Sequence, residues 1–251
     1  MLLDEILKNK KEEIKKISIK ETRDRKLRHL SDYFNDNINI ITEIKGSSPS
    51  AGFLNEINLK DILDAYLKYA KAISVLTDEK FFSGSFERLS EVCNRVNIPV
   101  LCKDFIIDKV QVDKAYACGA DIVLLIVRIL DDKKLNELYD YAKELGLDVL
   151  VEVHSLEELE RIKRMAPAIV GVNSRDLDTL EISLERAKNI LDSIDFKTVK
   201  IAESGIRTKE DIDYLRTSCN GFLIGEALIK NLSNLETEFS SLIRRKSENE
   251  D

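Results

Sequence analysis

What this sequence has little of narrows it first. Its four cysteines, Cys93, Cys102, Cys118 and Cys219, lie far apart and none forms a C-x-x-C pair. That spacing excludes a paired-cysteine zinc site or a disulfide framework and fits buried thiols in a reducing compartment. Histidine occurs only twice, as His29 and His154, which argues against a histidine-based metal centre. There are three prolines and nine glycines, and no Pro/Gly/Ser-rich stretch interrupts the chain, so no linker or domain boundary is visible. No G-x-G-x-x-G occurs, removing the usual signature of a dinucleotide-binding open sheet. The first residues, MLLDEILKNKKEEIKK, are apolar only at intervals and acidic early. They read as neither a secretory leader nor a membrane span, and a cytoplasmic protein is expected. Basic residues number 39 against 46 acidic, a net charge of -7. Such a surface disfavours nucleic acid and anionic membranes as partners, and an anionic substrate would need a local positive site.

What is present has a rhythm. Short β-branched apolar runs alternate with longer charged segments of helical period. The runs are INIITEIK from Ile38, AISVLT from Ala72, IPVLCKD from Ile98, DIVLLIV from Asp121, DVLVEV from Asp148, AIVGVNSRD from Ala168, VKIAESG from Val199 and GFLIG from Gly221. Between them, segments such as Asp61 to Ala72, Asp131 to Leu145 and Lys209 to Leu215 each supply one apolar stripe to cover a sheet. Eight strand-helix units within a chain of 251 residues match a closed parallel (β/α)8 TIM barrel. An open doubly wound sheet is the alternative. Ahead of the first run, Leu3, Ile6, Leu7, Ile14 and Ile17 recur at helical spacing, and a second charged segment follows through Leu27 and Leu30. The reading is one domain, with a helical extension over 1–37 acting as a lid on one end of a barrel over 38–251.

The run from Ile38 carries two charges near its end. Alternation puts Glu43 and Lys45 on the same side as Ile41, with Ile38, Ile40 and Ile44 on the other, which implies burial on both faces. Burying an unpaired ion costs several kcal/mol, so the two charges need a reason. A structural ion pair would serve as well as a site. In a parallel barrel, chemistry gathers where strands end, and the other runs end in Thr77, Asp78 and Glu79, Lys103 and Asp104, Arg128, Glu152 and His154, Asn173 and Arg175, Glu203 with Ser204-Gly205, and Gly225 with Glu226. Lys103 could simply snorkel. Glu152, set among apolar neighbours, is desolvated and its pKa raised unless a lysine is near, while His154 reads more readily as a packed rim residue than as a ligand. Ser204-Gly205 and Gly225 fit either a backbone phosphate cradle or ordinary turns. Lys45, Lys103 and Arg175 set against Glu43, Glu152 and Glu203 support acid-base chemistry on a small phosphorylated molecule, with no metal or nucleotide cofactor implied.

EIKGSSPSAG (from Glu43), AISVLTDEKFFSGSFE (from Ala72), PVLCKDFIID (from Pro99), LVEVHS (from Leu150), VGVNSRDL (from Val170), AESGI (from Ala202) and FLIGEAL (from Phe222) together resemble the indole-3-glycerol phosphate synthase family, in order along the chain. The resemblance implies conversion of 1-(2-carboxyphenylamino)-1-deoxyribulose 5-phosphate to indole-3-glycerol phosphate, with loss of carbon dioxide and water, in tryptophan biosynthesis. It implies that Lys103 is the general acid, that Lys45 lies near the departing carboxylate, and that Glu43 and Glu152 transfer protons and hold the lysines. Asn173 and Arg175 would bind substrate hydroxyls and orient the glutamates, with Glu203 a further acidic site residue. Ser48, Ser204, Gly205, Gly225 and Glu226 match substrate- and phosphate-side positions, and Phe82 and Phe105 look like walls for the anthranilate ring. Gly46 stands where many relatives carry a basic residue, Phe81 where tyrosine is frequent, and Glu226 where some carry a small hydroxyl residue. These departures imply weaker affinity at most. A phosphoribosylanthranilate isomerase activity ranks lower, because the first strand lacks that family's cysteine, and a barrel that has lost catalysis conflicts with the intact charged set. The resemblance is compatible with a monomer. No second enzyme is fused to the barrel, so association with other tryptophan-pathway enzymes is expected to be non-covalent.

Overall fold

In the computed structural model of the chain, which describes residues 2–35, 38–44, 47–48, 52–53, 59–225, 228 and 235–243, all eight apolar runs are strands. They are β1 (Asn39–Ile44), β2 (Ala72–Leu76), β3 (Val100–Lys103), β4 (Ile122–Ile126), β5 (Asp148–Val153), β6 (Ile169–Asn173), β7 (Val199–Glu203) and β8 (Gly221–Ile224). Every neighbouring pair is parallel and β8 returns to β1, with Asn39 opposite Gly221, so the sheet closes into a barrel. Closure leaves no free sheet edge and buries both faces, which is why the strands read as continuous apolar runs. Side chains alternate between two cores. Ile40, Ile44, Val123, Leu125, Val151 and Val170 point out towards the helices, whereas Ile41, Leu101, Leu124, Leu150, Ile169, Ile201 and Leu223 fill the interior. The split on β1 is the one expected from alternation.

The longer helices among the described residues are α1 (Leu2–Glu13), α2 (Leu59–Tyr69), α3 (Phe86–Arg95), α4 (Lys109–Ala117), α5 (Asp132–Glu144), α6 (Leu156–Ile162), α7 (Leu184–Asp192), α8 (Lys209–Leu215) and α9 (Leu235–Ile243), and a short helix, Glu79–Phe82, follows β2. Helix starts are chemically marked. Ser85, Asp108, Asp131, Ser155, Ser183 and Thr208 each precede a helix and accept a hydrogen bond from a backbone N–H in its first turn. Among the described residues, no helix is long and apolar enough to cross a membrane.

The N-terminal extension departs from its expected form. Helix α1 passes into a short 3-10 turn at Ile14–Lys16, after which the chain runs without helix until Leu30–Asp32. The reason lies in Arg23 and Arg25. In an extended chain residues two apart face the same way, and both guanidinium groups reach Asp121, at 2.7 and 2.8 Å. A helix would point them apart. Nor is the extension a lid on one end alone. Lys10 of α1 sits 2.8 Å from both Asp78 and Asp104, just past the ends of β2 and β3, while the Leu30 N–H donates to Asp148 at the start of β5 (2.8 Å) and the Leu30 side chain joins the interior core. The extension therefore straps the barrel from its C-terminal mouth to its base.

Asp121 is fully enclosed and also accepts from the Arg28 and Val100 backbone N–H groups. Breaking one side of a buried charge network leaves the other unpaired. Asp121→Asn is expected to lower unfolding stability by about 3 kcal/mol or more, read from the urea midpoint; a shift near zero would show that the strap contributes nothing there.

Candidate active site

The interior side chains at the C-terminal ends of the strands change from aliphatic to ionisable. Following Ile41, Leu101, Leu150 and Ile201 on the inward face come Glu43, Lys103, Glu152 and Glu203, so a layer of charge lies directly on the apolar core. Lys103 Nζ is 2.8 Å from Glu43 Oε2 and 3.8 Å from Glu203 Oε2. Burial would pull the Lys103 ammonium down, but Glu43, Glu203 and Glu152 together more than offset it and hold the group above the usual lysine range. Lys103 does not snorkel.

The three carboxylates are not equivalent. Burial raises the Glu152 carboxyl, yet the adjoining His154 and the charge of Lys103 bring it below its ordinary value. Glu203 goes the other way: burial, then the charge of Glu152, push it well up, and a hydrogen bond to Glu152 favours its protonated form. The two carboxyls are therefore driven apart, Glu152 towards its charged form and Glu203 towards its protonated one. Sequence reasoning placed the desolvation shift on Glu152 unless a lysine were near. A lysine and an imidazole are near, and the shift appears on Glu203.

Two glycines make room for this layer. A Cβ on Gly171 of β6 would lie 2.1 Å from Glu203 Oε1, and one on Gly225, after β8, 2.6 Å from Glu43 Oε1. Gly225 thus packs directly against Glu43. Ser204 and Gly205 both take left-handed backbone angles, φ 63° and 72°, and a Cβ on Gly205 would meet Ile182 at 2.5 Å; the turn needs glycine there. The Ser174 hydroxyl donates to Ser204 O (2.8 Å), tying this turn to the end of β6. Asn173 is buried and its side-chain oxygen accepts from the Arg175 N–H (3.0 Å), while Arg175 bridges to Ile182. Phe82 and Phe105 meet with ring centroids 5.9 Å apart, forming an apolar wall beside the mouth. Ser48 belongs to a two-residue strand, Ser47–Ser48, paired antiparallel with Gly52–Phe53. Lys45, Gly46 and Glu226 lie outside the described residues.

Sequence reasoning missed two groups. The first is Lys10, whose burial among Asp78, Asp104 and Glu13 anchors α1 to the loops bearing Phe82 and Phe105. Burial lowers the Lys10 ammonium, but Asp104 foremost, then Asp78 and Glu13, leave it above its ordinary value. Its signal was available: Lys10 falls on the same helical stripe as Ile6 and Ile14, a lysine on an apolar face. The second is His154, expected as a rim residue. It is 1% exposed, with Nε2 3.1 Å from Glu152 Oε1 and Nδ1 3.3 Å from Glu158 Oε2. The spacing of His154 and Glu158 across a helix start was the available clue.

Burial alone would lower His154, but Glu152 and then Glu158 raise it from 6.5 to about 9. A group raised on folding stabilises fully below its unfolded pKa, and loses that contribution as pH rises through the folded one. Unfolding midpoints in urea are expected to fall between about pH 7 and pH 10 as His154 titrates, from 6.5 unfolded to about 9 folded; a midpoint independent of pH over that window would contradict the pairing. Gly171→Ala drives a methyl group into Glu203, so a stability loss of about 1–3 kcal/mol, typical of overpacking, should accompany a fall in activity. Unchanged stability would mean that Glu203 can move aside.

Comparison with known proteins adds a family to this geometry. The family described as indole-3-glycerol phosphate synthase matches residues 3–241. Proteins of that name from Staphylococcus haemolyticus (strain JCSC1435) and Bacillus mycoides (strain KBAB4) are 44% identical over 84% of this chain and 82% of the relative, and 40% identical over 92% and 94%. Among solved structures, the tryptophan synthase A-subunit of Pyrococcus furiosus is similar with TM-score 0.61 at 16% identity, over 84% of this chain and 98% of that one. The thiamine phosphate pyrophosphorylase of the same organism has TM-score 0.57 at 17% identity, over 83% and 94%. At such identities the two structures bear on the barrel alone. The near full-length family match and the 40–44% identical relatives establish that this chain belongs to the indole-3-glycerol phosphate synthase family.

Proposed function

We propose that this chain is an indole-3-glycerol-phosphate synthase, a carboxy-lyase of tryptophan biosynthesis. It closes the pyrrole ring of 1-(2-carboxyphenylamino)-1-deoxyribulose 5-phosphate with loss of carbon dioxide and water. The observation that carries the reading is the ammonium of Lys103, enclosed at 2.8 Å from Glu43 and 3.8 Å from Glu203 at the barrel mouth. Ring closure needs a proton on the ribulose carbonyl oxygen as the aromatic carbon attacks it. Lys103 supplies that proton; the surrounding carboxylates ensure that it is charged beforehand and favour its reprotonation afterwards. Glu203, 3.8 Å away and driven towards its protonated form, is placed to return the proton. Once the ring carbon is bonded, the carboxylate on that carbon departs as carbon dioxide and aromaticity is restored. Loss of the hydroxyl as water then needs an acid at the oxygen and a base at the neighbouring carbon.

For these later steps we assign Lys45 to the departing carboxylate, and Glu43 and Glu152 to proton transfer. Asn173 and Arg175 orient the substrate hydroxyls, Phe82 and Phe105 wall the anthranilate ring, and Ser48 and Ser204 complete the substrate contacts. The phosphate rests on the backbone at Gly205, Gly225 and Glu226. Two adjacent left-handed residues at Ser204 and Gly205 support a turn that presents backbone N–H groups to an anion. The cytoplasm is the assigned location, supported by four free thiols, three of them buried. A monomer, with any pathway partner bound non-covalently, completes the proposal.

Incubation with the carboxyphenylamino-deoxyribulose phosphate should give the fluorescence of an indole product. A folded protein that yields none would sink the assignment. Lys103→Ala is expected to lower kcat by about a hundredfold or more, the scale of a lost general acid; near-normal turnover would remove Lys103 from that role.

A further inference from the structure

The charged layer does not end at Glu152. Behind it, away from Lys103, a line of alternating charge runs to the rim. His154 Nε2 is 3.1 Å from Glu152 Oε1, an ion-pair contact outside hydrogen-bond alignment. Its Nδ1 is 3.3 Å from Glu158 Oε2, and the same oxygen accepts the His154 backbone N–H at 2.8 Å. Glu158 Oε1 in turn takes Arg128 Nε at 2.5 Å, and Arg128 reaches Asp178 at 2.6 Å, with Asp176 at 4.0 Å. The elements involved are β5, the start of α6, the turn after β4 and the loop after β6. Nothing in the ring closure requires a histidine at this place.

We propose that His154 is a positioning residue for the reaction: as an imidazolium clamped between Glu152 and Glu158, it keeps Glu152 ionised and fixed beside Lys103. Three physical points support it. Like charges in a closed site do not both ionise, so one of Glu152 and Glu203 tends to hold a proton, and the imidazole in contact with Glu152 favours Glu152 as the ionised member. Lys103 cannot serve Glu152 alone, since its ammonium is already engaged with Glu43 and Glu203. Glu158 supplies the second negative charge that holds His154 protonated, and Arg128 and Asp178 hold Glu158 in turn. The side-chain charges acting on the imidazole are therefore Glu152 on its own strand, Glu158 from α6, and, one step further, Lys103 from β3, Glu203 from β7 and Arg128 from the β4 turn. The His154 shift to about 9 agrees with this arrangement.

The inference rests on Glu152 transferring protons in ring closure, so two separate readouts are used. The first needs no turnover. With only two histidines in the chain, the His154 imidazole signal can be assigned by its absence from His154→Gln and titrated by NMR. Glu152→Gln and Glu158→Gln should each lower its midpoint by about one pH unit or more, the effect of losing an adjacent opposite charge. An unmoved midpoint in Glu152→Gln overturns the clamp. The second readout is the pH profile of turnover. His154→Gln should reduce kcat by about tenfold to a hundredfold, the usual cost of a misplaced catalytic group, with KM nearly unchanged and the acidic limb of kcat displaced upward. Glu158→Gln, in which His154 stays protonated at acidic pH, should leave that limb in place. Wild-type kcat and profile in folded His154→Gln, or a loss with no displaced limb, would leave His154 a packing residue. Should His154→Gln not fold, the titration of His154 in Glu152→Gln decides. Failure of the synthase assignment itself would appear instead as no turnover in the unaltered protein, with the titration still reporting the clamp.

Discussion

Enclosing one ammonium among carboxylates at the mouth of a closed barrel is the constraint on which the rest of this structure depends. Lys103 is drawn into the interior by Glu43 and Glu203, and an unpaired charge there would cost several kcal/mol. Everything around it is arranged to keep the group paired. The apolar floor of Ile41, Leu101, Leu150 and Ile201 keeps out solvent, and Gly171 and Gly225 leave the space that the carboxylates of Glu203 and Glu43 occupy. The low dielectric that makes this layer costly also makes it responsive. Small differences in surroundings shift Glu152 down and Glu203 up.

A second buried lysine does structural work of the same kind. Lys10 brings α1 onto the barrel mouth by pairing with Asp78 and Asp104. Asp78 also caps the short helix that carries Phe82, while Asp104 accepts the Thr77 hydroxyl and the Phe105 N–H. One ammonium thus ties the N-terminal helix to the two loops that form the aromatic wall. Further along, Arg23 and Arg25 fasten the extended strap to Asp121, and Leu30 closes the base. The extension is part of the barrel's closure at both ends, which links the stability of the base to the shape of the mouth.

The eight strands and most helices were legible because their signals are local. DVLVEV became β5 over the same residues, and the segment from Lys209 to Leu215 became α8 without adjustment. The inward-facing charges were legible for the same reason: alternation on a strand decides which side chains share a face, and parallel pairing decides that both faces are buried. Where the period failed, as in the charged segment after Ile17, a contact nearly a hundred residues away had taken over, and no local pattern announces that Arg23 and Arg25 will meet Asp121.

By itself, then, the sequence determined the barrel, its inward face, and the set of ionisable groups at the strand ends, since these follow from periodicity and from the cost of burying polar atoms. The family resemblance attached a reaction to that set. Tertiary structure alone decided how the charges divide: that Lys103 leans on Glu43, that the upward shift falls on Glu203 rather than Glu152, and that His154 faces two carboxylates. Protonation in a buried site depends on separations of a few ångströms between residues distant in the chain, and those separations exist only once the barrel has closed.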